Sequence, residues 1–338
     1  MSDDPAGAAL ARVAAEGVHR IAVPTPFAVG RVNVYLIEDE PLTLVDAGPN
    51  SATSLVELER GLATLGHGVE DLGRIVVTHQ HIDHIGLVQI LAERSGAEVC
   101  CLEGLAPWLA NFGTAMNDDD AFASAVMLRH GIPPELSLAL QAIVSQFRAW
   151  GASARVDRPL ADGAQLAFRD RTWTVSHRPG HSPSDTVFLD AGRRMLFGGD
   201  HLIGHISSNP LVSRPLEGGD ADDRPKALLI YMASMRATRE MEIDVVLAGH
   251  GDVVSDHRAL IDERLQGHER RAERIAKLLA DGPVTAYEIA QLMWGNVAVT
   301  QAYLTLSEVL GHVDLLLERG EAVEERDADG VTRFSLPG

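Results

Sequence analysis

Cysteine is almost missing. Two in 338 residues cannot build a disulfide framework, and Cys100 and Cys101, neighbours in the apolar stretch AEVCCL, read as reduced thiols on a buried strand. No apolar run approaches the roughly 20 residues that span a bilayer, so no membrane segment is expected. The opening MSDDPAGAAL carries two acids where a secretory signal carries basic residues, and no apolar h-region follows it. A cytoplasmic protein is the expectation. Positive charge is also scarce: 29 Lys and Arg against 48 Asp and Glu leave a net charge of -19. Proteins that rely on general attraction to phosphate backbones usually carry a basic patch, so nucleic acid is a disfavoured partner. Internal repeats and low-complexity tracts are absent as well, which excludes solenoids and disordered linkers.

The remaining composition, 46% hydrophobic and 23% charged, is that of a globular chain long enough for a large domain and a smaller appendage. Three short β-rich segments open it: RIAVPTPF, RVNVYLIED and PLTLVDAG, separated by turn residues as in a meander. SATSLVELERGLATLG then turns helical, with Leu55, Leu58, Leu62 and Leu65 on one face and Gly66 placed to end it. Arg74 to Thr78 reads as a strand, and IGLVQILAERSG after it as a helix. Residues from about 103 to 155 form a helical insertion with helix starts near Pro107, Pro133 and Pro134. Strand patterns return from Gln165 to Ser176 and, as a hairpin around DAGRR, from Thr186 to Phe197. A helix over Lys226 to Arg239 and the strand of IDVVLAGHG close a domain spanning 1–256. From 257 to 338 a long charged helix, two short helices and a hairpin turning at Asp329-Gly330 suggest a winged-helix-like domain.

The chemistry concentrates in His79-Gln80-His81-Ile82-Asp83-His84, four residues able to bind metal within six positions at the end of a strand. On an extended continuation His79 and His81 point the same way, while Asp83 and His84 belong to the next turn. One pair can hold one ion and the other a second. His181 in RPGHSPSD, Asp200 in LFGGD and His250 in LAGHG are three more strand-end residues beside glycine, where the backbone can turn sharply. A lone histidine is more often a satisfied core or surface residue, but seven such groups exceed what one tetrahedral ion takes. Two ions roughly 3.5 to 4 Å apart, sharing a carboxylate and a water, accommodate them. Imidazole and carboxylate suit Zn(II), and Fe or Mn as well. His201 and His205 follow Asp200 and read more simply as hydrogen-bonding side chains than as ligands.

The order HxHxDH, His, Asp, His resembles the metallo-β-lactamase superfamily, and its all-His/Asp form is similar to the glyoxalase II-like hydrolases. The resemblance covers about residues 19 to 255, with Asp46 of VNVYLIEDEPLTLVDAG at a position that supports the ligands in that family. It implies a four-layer αββα sandwich with the metals at one edge of the two sheets. His79, His81 and His181 would hold the first of two Zn(II), Asp83, His84 and His250 the second, and Asp200 would bridge. Antibiotic-hydrolysing members commonly carry Cys or Ser where this chain has Asp200, and the basic and tyrosine pattern that binds glutathione in glyoxalase II has no counterpart located here.

A water shared by two ions has its pKa lowered from about 15.7 toward 7, so the expected reaction is hydrolysis of a thioester, ester or lactone in a small acyl substrate. Asp83 would orient the hydroxide or carry its proton. Two alternatives share the motif: a mononuclear iron enzyme that oxidises persulfide sulfur through two His and one Asp, and a LACTB-like endoribonuclease, which the tail resembles. Against the latter, SEVLGHVDLLLERG, the candidate recognition helix, carries Glu308, Asp314 and Glu318 against Arg319, and the hairpin adds Glu324, Glu325, Asp327 and Asp329, where phosphate needs Lys and Arg. A packing or homodimer role suits the tail better. Trp108 and Phe112 in the insertion are candidates for an acyl pocket or for ordinary helix packing.

Overall fold

The computed structural model describes residues 5–338; residues 1–4, with the two acids of the opening segment, lie outside it. The chain forms two compact units, each assembled from separate stretches. Of the described residues the first comprises 5–115, Phe147–Ser208 and Arg239–Arg258, the second Met116–Gln146, Asn209–Thr238 and Ala259–Gly338.

Two sheets build the first unit. One runs in sequence order through β1 (Val18–Val23), β2 (Val32–Ile37), β3 (Thr43–Val45), β4 (Arg74–Val76), β5 (Glu98–Leu102) and β6 (Arg158–Leu160). Its first three strands are the expected antiparallel meander, and β3 to β6 are parallel. The other sheet has β7 (Gln165–Ala167), β8 (Thr172–His177), β9 (Thr186–Asp190), β10 (Met195–Gly199) and β11 (Val245–Ala248) in the order β11-β10-β9-β8-β7. Tyr35, Ile37, Val45, Val76 and Cys100 of the first sheet share one buried cluster with Trp173, Val175, Phe188, Phe197 and Leu247 of the second. The sheets therefore face each other, and with flanking helices this is the mixed α/β architecture of an αββα sandwich. Every residue of β2 is buried, because a strand covered on both faces reads as an apolar run and not as an alternation.

Helix Ala52–Thr64 shows how closely local signals are met. Ser51 caps it by accepting from Ser54 N–H at 3.0 Å. At its end Gly66 takes φ 84°, and the amides of Gly66 and His67 return to the carbonyls of Ala63 and Leu62 in the paired pattern of a left-handed helix stop. Gly61 lies so near β1 that a Cβ there would stand 2.4 Å from Ile21 Cγ2. In the insertion, helices Leu105–Ala110, Phe112–Arg129 and Pro134–Phe147 form, the last with Pro at its first position. Trp108 and Phe112 are buried, edge to face at 5.5 Å.

The second unit has helices Ala227–Arg239, His257–Leu278 (from Ala259), Ala286–Trp294, Val297–Thr300 and Ala302–Glu318. Its sheet orders β12 (Val284–Thr285), β14 (Thr332–Ser335) and β13 (Val323–Arg326) as β12-β14-β13. Thr285 and Glu288 cap helix Ala286–Trp294 reciprocally, at 3.1 and 2.7 Å. The hairpin turns where expected, with Asp327 Oδ1 accepting from the amides of Asp329 and Val331. The segment offered above as a recognition helix is instead buried along most of its length, and Asp314 in it is held bidentately by Arg224 at 2.7 Å twice. Among the described residues no helix is long and apolar enough to cross a membrane.

Candidate metal centre

Parallel strands deliver their following loops to one edge of a sheet, and β3 and β4 are parallel neighbours. Asp46, just past β3, takes φ 59°, a left-handed conformation that costs a non-glycine residue about 1 kcal/mol. The turn directs its carboxylate onto the loop after β4. Asp46 Oδ1 accepts the Thr78 amide at 2.8 Å, and Oδ2 accepts Thr78 Oγ1 and His84 Nδ1, each at 2.8 Å. Since the Thr78 hydroxyl donates to Asp46, its oxygen accepts from His79 Nδ1 at 2.9 Å. Both rings are thereby set with their protons on Nδ1 and their lone pairs on Nε2. His250 reaches the same state by donating Nδ1–H to the Arg31 carbonyl at 2.9 Å.

Those lone pairs converge. His79 Nε2 stands 3.1 Å from His81 Nδ1, which stands 2.9 Å from His181 Nε2. Together with an Asp200 oxygen these atoms lie within 4.8 Å of one another, and so do those of a second group, Asp83, His84 and His250. Asp200 reaches both: Oδ1 is 3.4 Å from His84 Nε2, and Oδ2 is 3.6 Å from His181 Nε2 and 3.4 Å from His250 Nε2. Asp83 Oδ2 is 3.4 Å from His250 Nε2. Glycine makes the room for this crowding, because a Cβ on Gly249 would fall 2.2 Å from Asp200 Oδ1. All seven residues singled out by spacing are thus brought together, and Asp46 lies behind them.

The electrostatics split the centre in two. Burial, then the neighbouring imidazoles, holds His79 well below its ordinary value and His81 down at about 3. Burial also opposes charge on His84 and His250, but Asp200 and its companion carboxylates outweigh it, raising His84 well above the usual range and His250 to about 9. Asp200, despite its burial, is held well below the carboxylate range by His84 and His250. The buried carboxylates thus favour positive charge at His84 and His250, which a proton on Nε2 or a metal ion at that same nitrogen can supply while the Nδ1 hydrogen bonds stay as they are. The fit to metal is direct: His84 Nε2 and Asp200 Oδ1 are buried without a hydrogen-bond partner, and all donors are nitrogen or carboxylate oxygen, the set suited to a dinuclear centre.

Several residues that hold the site were not legible as site residues. Asn33 Nδ2 donates to the carbonyls of Ala248 and Gly251 at 2.9 and 2.8 Å, and Tyr35 Oη to Ala248 at 2.8 Å, clamping the loop of His250. Asp185 accepts the Ser182 amide and hydroxyl at 2.9 and 2.7 Å, fixing the loop of His181. The acid three residues beyond Ser182 in HSPSD is a turn signal that could have marked it. His201 is buried and held near 3 by that burial and by Arg178, while His205 is exposed with its ring against Gly251. Neither belongs to the two groups.

Comparison with known proteins agrees with this geometry. The profile of the Metallo-beta-lactamase superfamily matches residues 28–250, and that of the Metallo-beta-lactamase-like, C-terminal domain residues 272–337. The chain is 32% identical over 308 residues to the probable metallo-hydrolase YqjP of Bacillus subtilis, covering 91% of this chain and 94% of that protein. It is 26% identical over 213 residues to an atrochrysone carboxyl ACP thioesterase of Aspergillus terreus, covering 57% and 61%. Among solved structures it resembles a metallo-beta-lactamase family protein from Thermus thermophilus, with TM-score 0.78, 26% identity and coverage of 95% and 99%. A beta-lactamase domain protein from Burkholderia ambifaria gives 0.79, 27%, and 95% and 92%.

Proposed function

The chain belongs to the metallo-beta-lactamase superfamily, and from that premise we propose that this metallo-hydrolase cleaves a thioester, ester or lactone in a small acyl substrate at a two-metal centre. The carrying observation is the position of Asp200, whose oxygens lie 3.4 to 3.6 Å from ligand nitrogens of both His groups. One carboxylate between two sets of lone pairs suits two ions better than one, which disfavours the mononuclear iron alternative.

His79, His81 and His181 would hold one ion, Asp83, His84 and His250 the other, with Asp200 shared. Two such ions, Zn(II) by donor type, supply Lewis acidity toward the substrate carbonyl and make water acidic enough to attack at neutral pH. Asp46 and Thr78 keep His79 and His84 in the ligating tautomer. Asp83 Oδ2 faces His250 and is placed to take the proton of the attacking water and to return it to the leaving thiolate or alkoxide. The thioesterase name of the Aspergillus relative supports a thioester first. The ribonuclease alternative is disfavoured by the net charge of -19 and by the burial of the candidate recognition helix.

The test is metal content by elemental mass spectrometry on protein prepared without chelators, followed by a panel of acyl thioesters, esters and lactones. About two ions per chain with turnover on the panel supports the reading. About one iron with persulfide oxidation, or no metal after reconstitution, overturns it.

A further inference from the structure

A third convergence of ligand-type side chains lies in the second unit, in a place the hydrolytic reaction does not use. His268 on helix His257–Leu278 meets His312 on helix Ala302–Glu318, with His268 Nδ1 3.1 Å from His312 Nε2 and both rings buried. Glu308 is one turn before His312, so the two share a helix face. One donor atom from each of the three residues falls within 4.8 Å of the others.

His312 is equipped as the ligands of the catalytic centre are. Its Nδ1–H donates to the Glu308 carbonyl at 2.6 Å, which leaves Nε2 with its lone pair toward His268, as Arg31 does for His250 and Asp46 for His84. Metal-binding imidazoles are held in this manner by a carbonyl or carboxylate on the far nitrogen. The nitrogen spacing is also that of shared ligation: two nitrogens at about 2.0 to 2.1 Å from one tetrahedral ion stand roughly 3.3 Å apart, and the catalytic pairs here are 2.9 and 3.1 Å. Burial, reinforced by nearby charge that includes Arg271, keeps His268 near 4 and His312 near 2. Both are therefore neutral and available as donors at neutral pH. Glu308 presents a carboxylate only 11% exposed, and the cation it meets is Arg271, which is 42% exposed.

We propose that His268, Glu308 and His312 bind a divalent first-row cation of the zinc type, a structural site separate from the catalytic centre that pins helix His257–Leu278 to helix Ala302–Glu318. Two imidazoles and one carboxylate form a common zinc donor set. Arg271 occupies the carboxylate when no ion does, and its exposure lets it swing into solvent at little cost. The plainer arrangement, a single N–H···N bond from His268 Nδ1 to His312 Nε2, uses the same tautomer of His312 but leaves the Glu308 carboxylate to Arg271.

The full-length protein is loaded with excess zinc, desalted, and counted by elemental mass spectrometry beside His268→Gln and His312→Gln. Each variant should carry one ion fewer than the wild type. The same deficit of one should separate His79→Ala from His79→Ala/His312→Gln, which makes the result independent of how the catalytic centre is loaded. Equal counts in the wild type and the folded variants would overturn the site. Should loss of a ring unfold the unit, Arg271→Gln decides, because it keeps all three ligands and removes the competing cation. Its third ion should leave to a chelator about fivefold more slowly than that of the wild type, and an equal or faster release would overturn the proposal.

Discussion

Asp46 and His84 are joined by a 2.8 Å hydrogen bond from Nδ1 to Oδ2, and the same carboxylate receives two bonds from Thr78. One residue in a left-handed backbone therefore orients a ring in each of the two groups at once, His84 directly and His79 through Thr78.

Asp46→Asn tests that relationship with the fold preserved, because asparagine tolerates positive φ. The amide cannot accept all three bonds. Zinc affinity and turnover should each fall about 10- to 100-fold, read by chelator competition and steady-state kinetics with circular dichroism unchanged. Wild-type affinity in the variant would show that Asp46 serves the turn alone.

Gly249→Ala is a steric test of the crowded centre. Its Cβ would meet Asp200 Oδ1 at 2.2 Å and His84 Cε1 at 2.8 Å, so the two must part. Metal retention should drop by about tenfold or more while thermal unfolding keeps its cooperativity. Full metal content would mean that the loop yields without moving either ligand.

Asp200→Ala should cost more metal than His79→Ala or His84→Ala, since the Asp200 carboxylate lies within 3.4 to 3.6 Å of nitrogens in both groups. Elemental analysis of the three variants should find fewer ions per chain in the Asp200 variant than in either histidine variant. Equal losses in all three would remove the bridging role.

Phe112 is buried against Gly151, where a Cβ would come within 2.3 Å of its ring. Phe112→Ala should destabilise the protein by about 3 to 5 kcal/mol, measured in urea. A loss under about 1 kcal/mol accompanied by altered acyl-length selectivity would instead place the ring on the substrate pocket.

His130 provides the pH test. It is buried and stacked on Phe334 at 5.9 Å, with its pKa pushed down to about 3 by burial and by Arg224, Arg129 and Arg326. The unfolded chain takes up this proton near pH 6.5, so below that pH the unfolded state binds more protons. Stability must then fall as pH drops from about 6.5 toward 3, by about 1.4 kcal/mol per pH unit from this group. His130→Phe keeps the stack and removes the titration. Its unfolding free energy should fall less steeply with acid than that of the wild type, and identical slopes would show His130 to be neutral in this balance.

The residues that converge in the two His/Asp groups were legible because metal chemistry restricts residue type and spacing: HxHxDH after a strand, and His181, Asp200 and His250 each beside glycine. The meander, the helix stop at Gly66 and the turn at Asp329-Gly330 were legible for a similar reason, since φ/ψ preferences act over two or three neighbours. Pairing across the fold is different in kind. Nothing local in Asn33 or Tyr35 announces that each would hold the Ala248 carbonyl more than 200 positions away, and β6 and β12, at three and two residues, are too short for a periodic signal. The acids of helix Ala302–Glu318 suggest a surface element by themselves, whereas Arg224 neutralises Asp314 inside the unit. By itself the sequence determined which atoms can bind metal and where the chain turns. Only the tertiary structure decided which lone pairs meet, because strand order and sheet packing, not sequence distance, set which donor atoms lie beside one another.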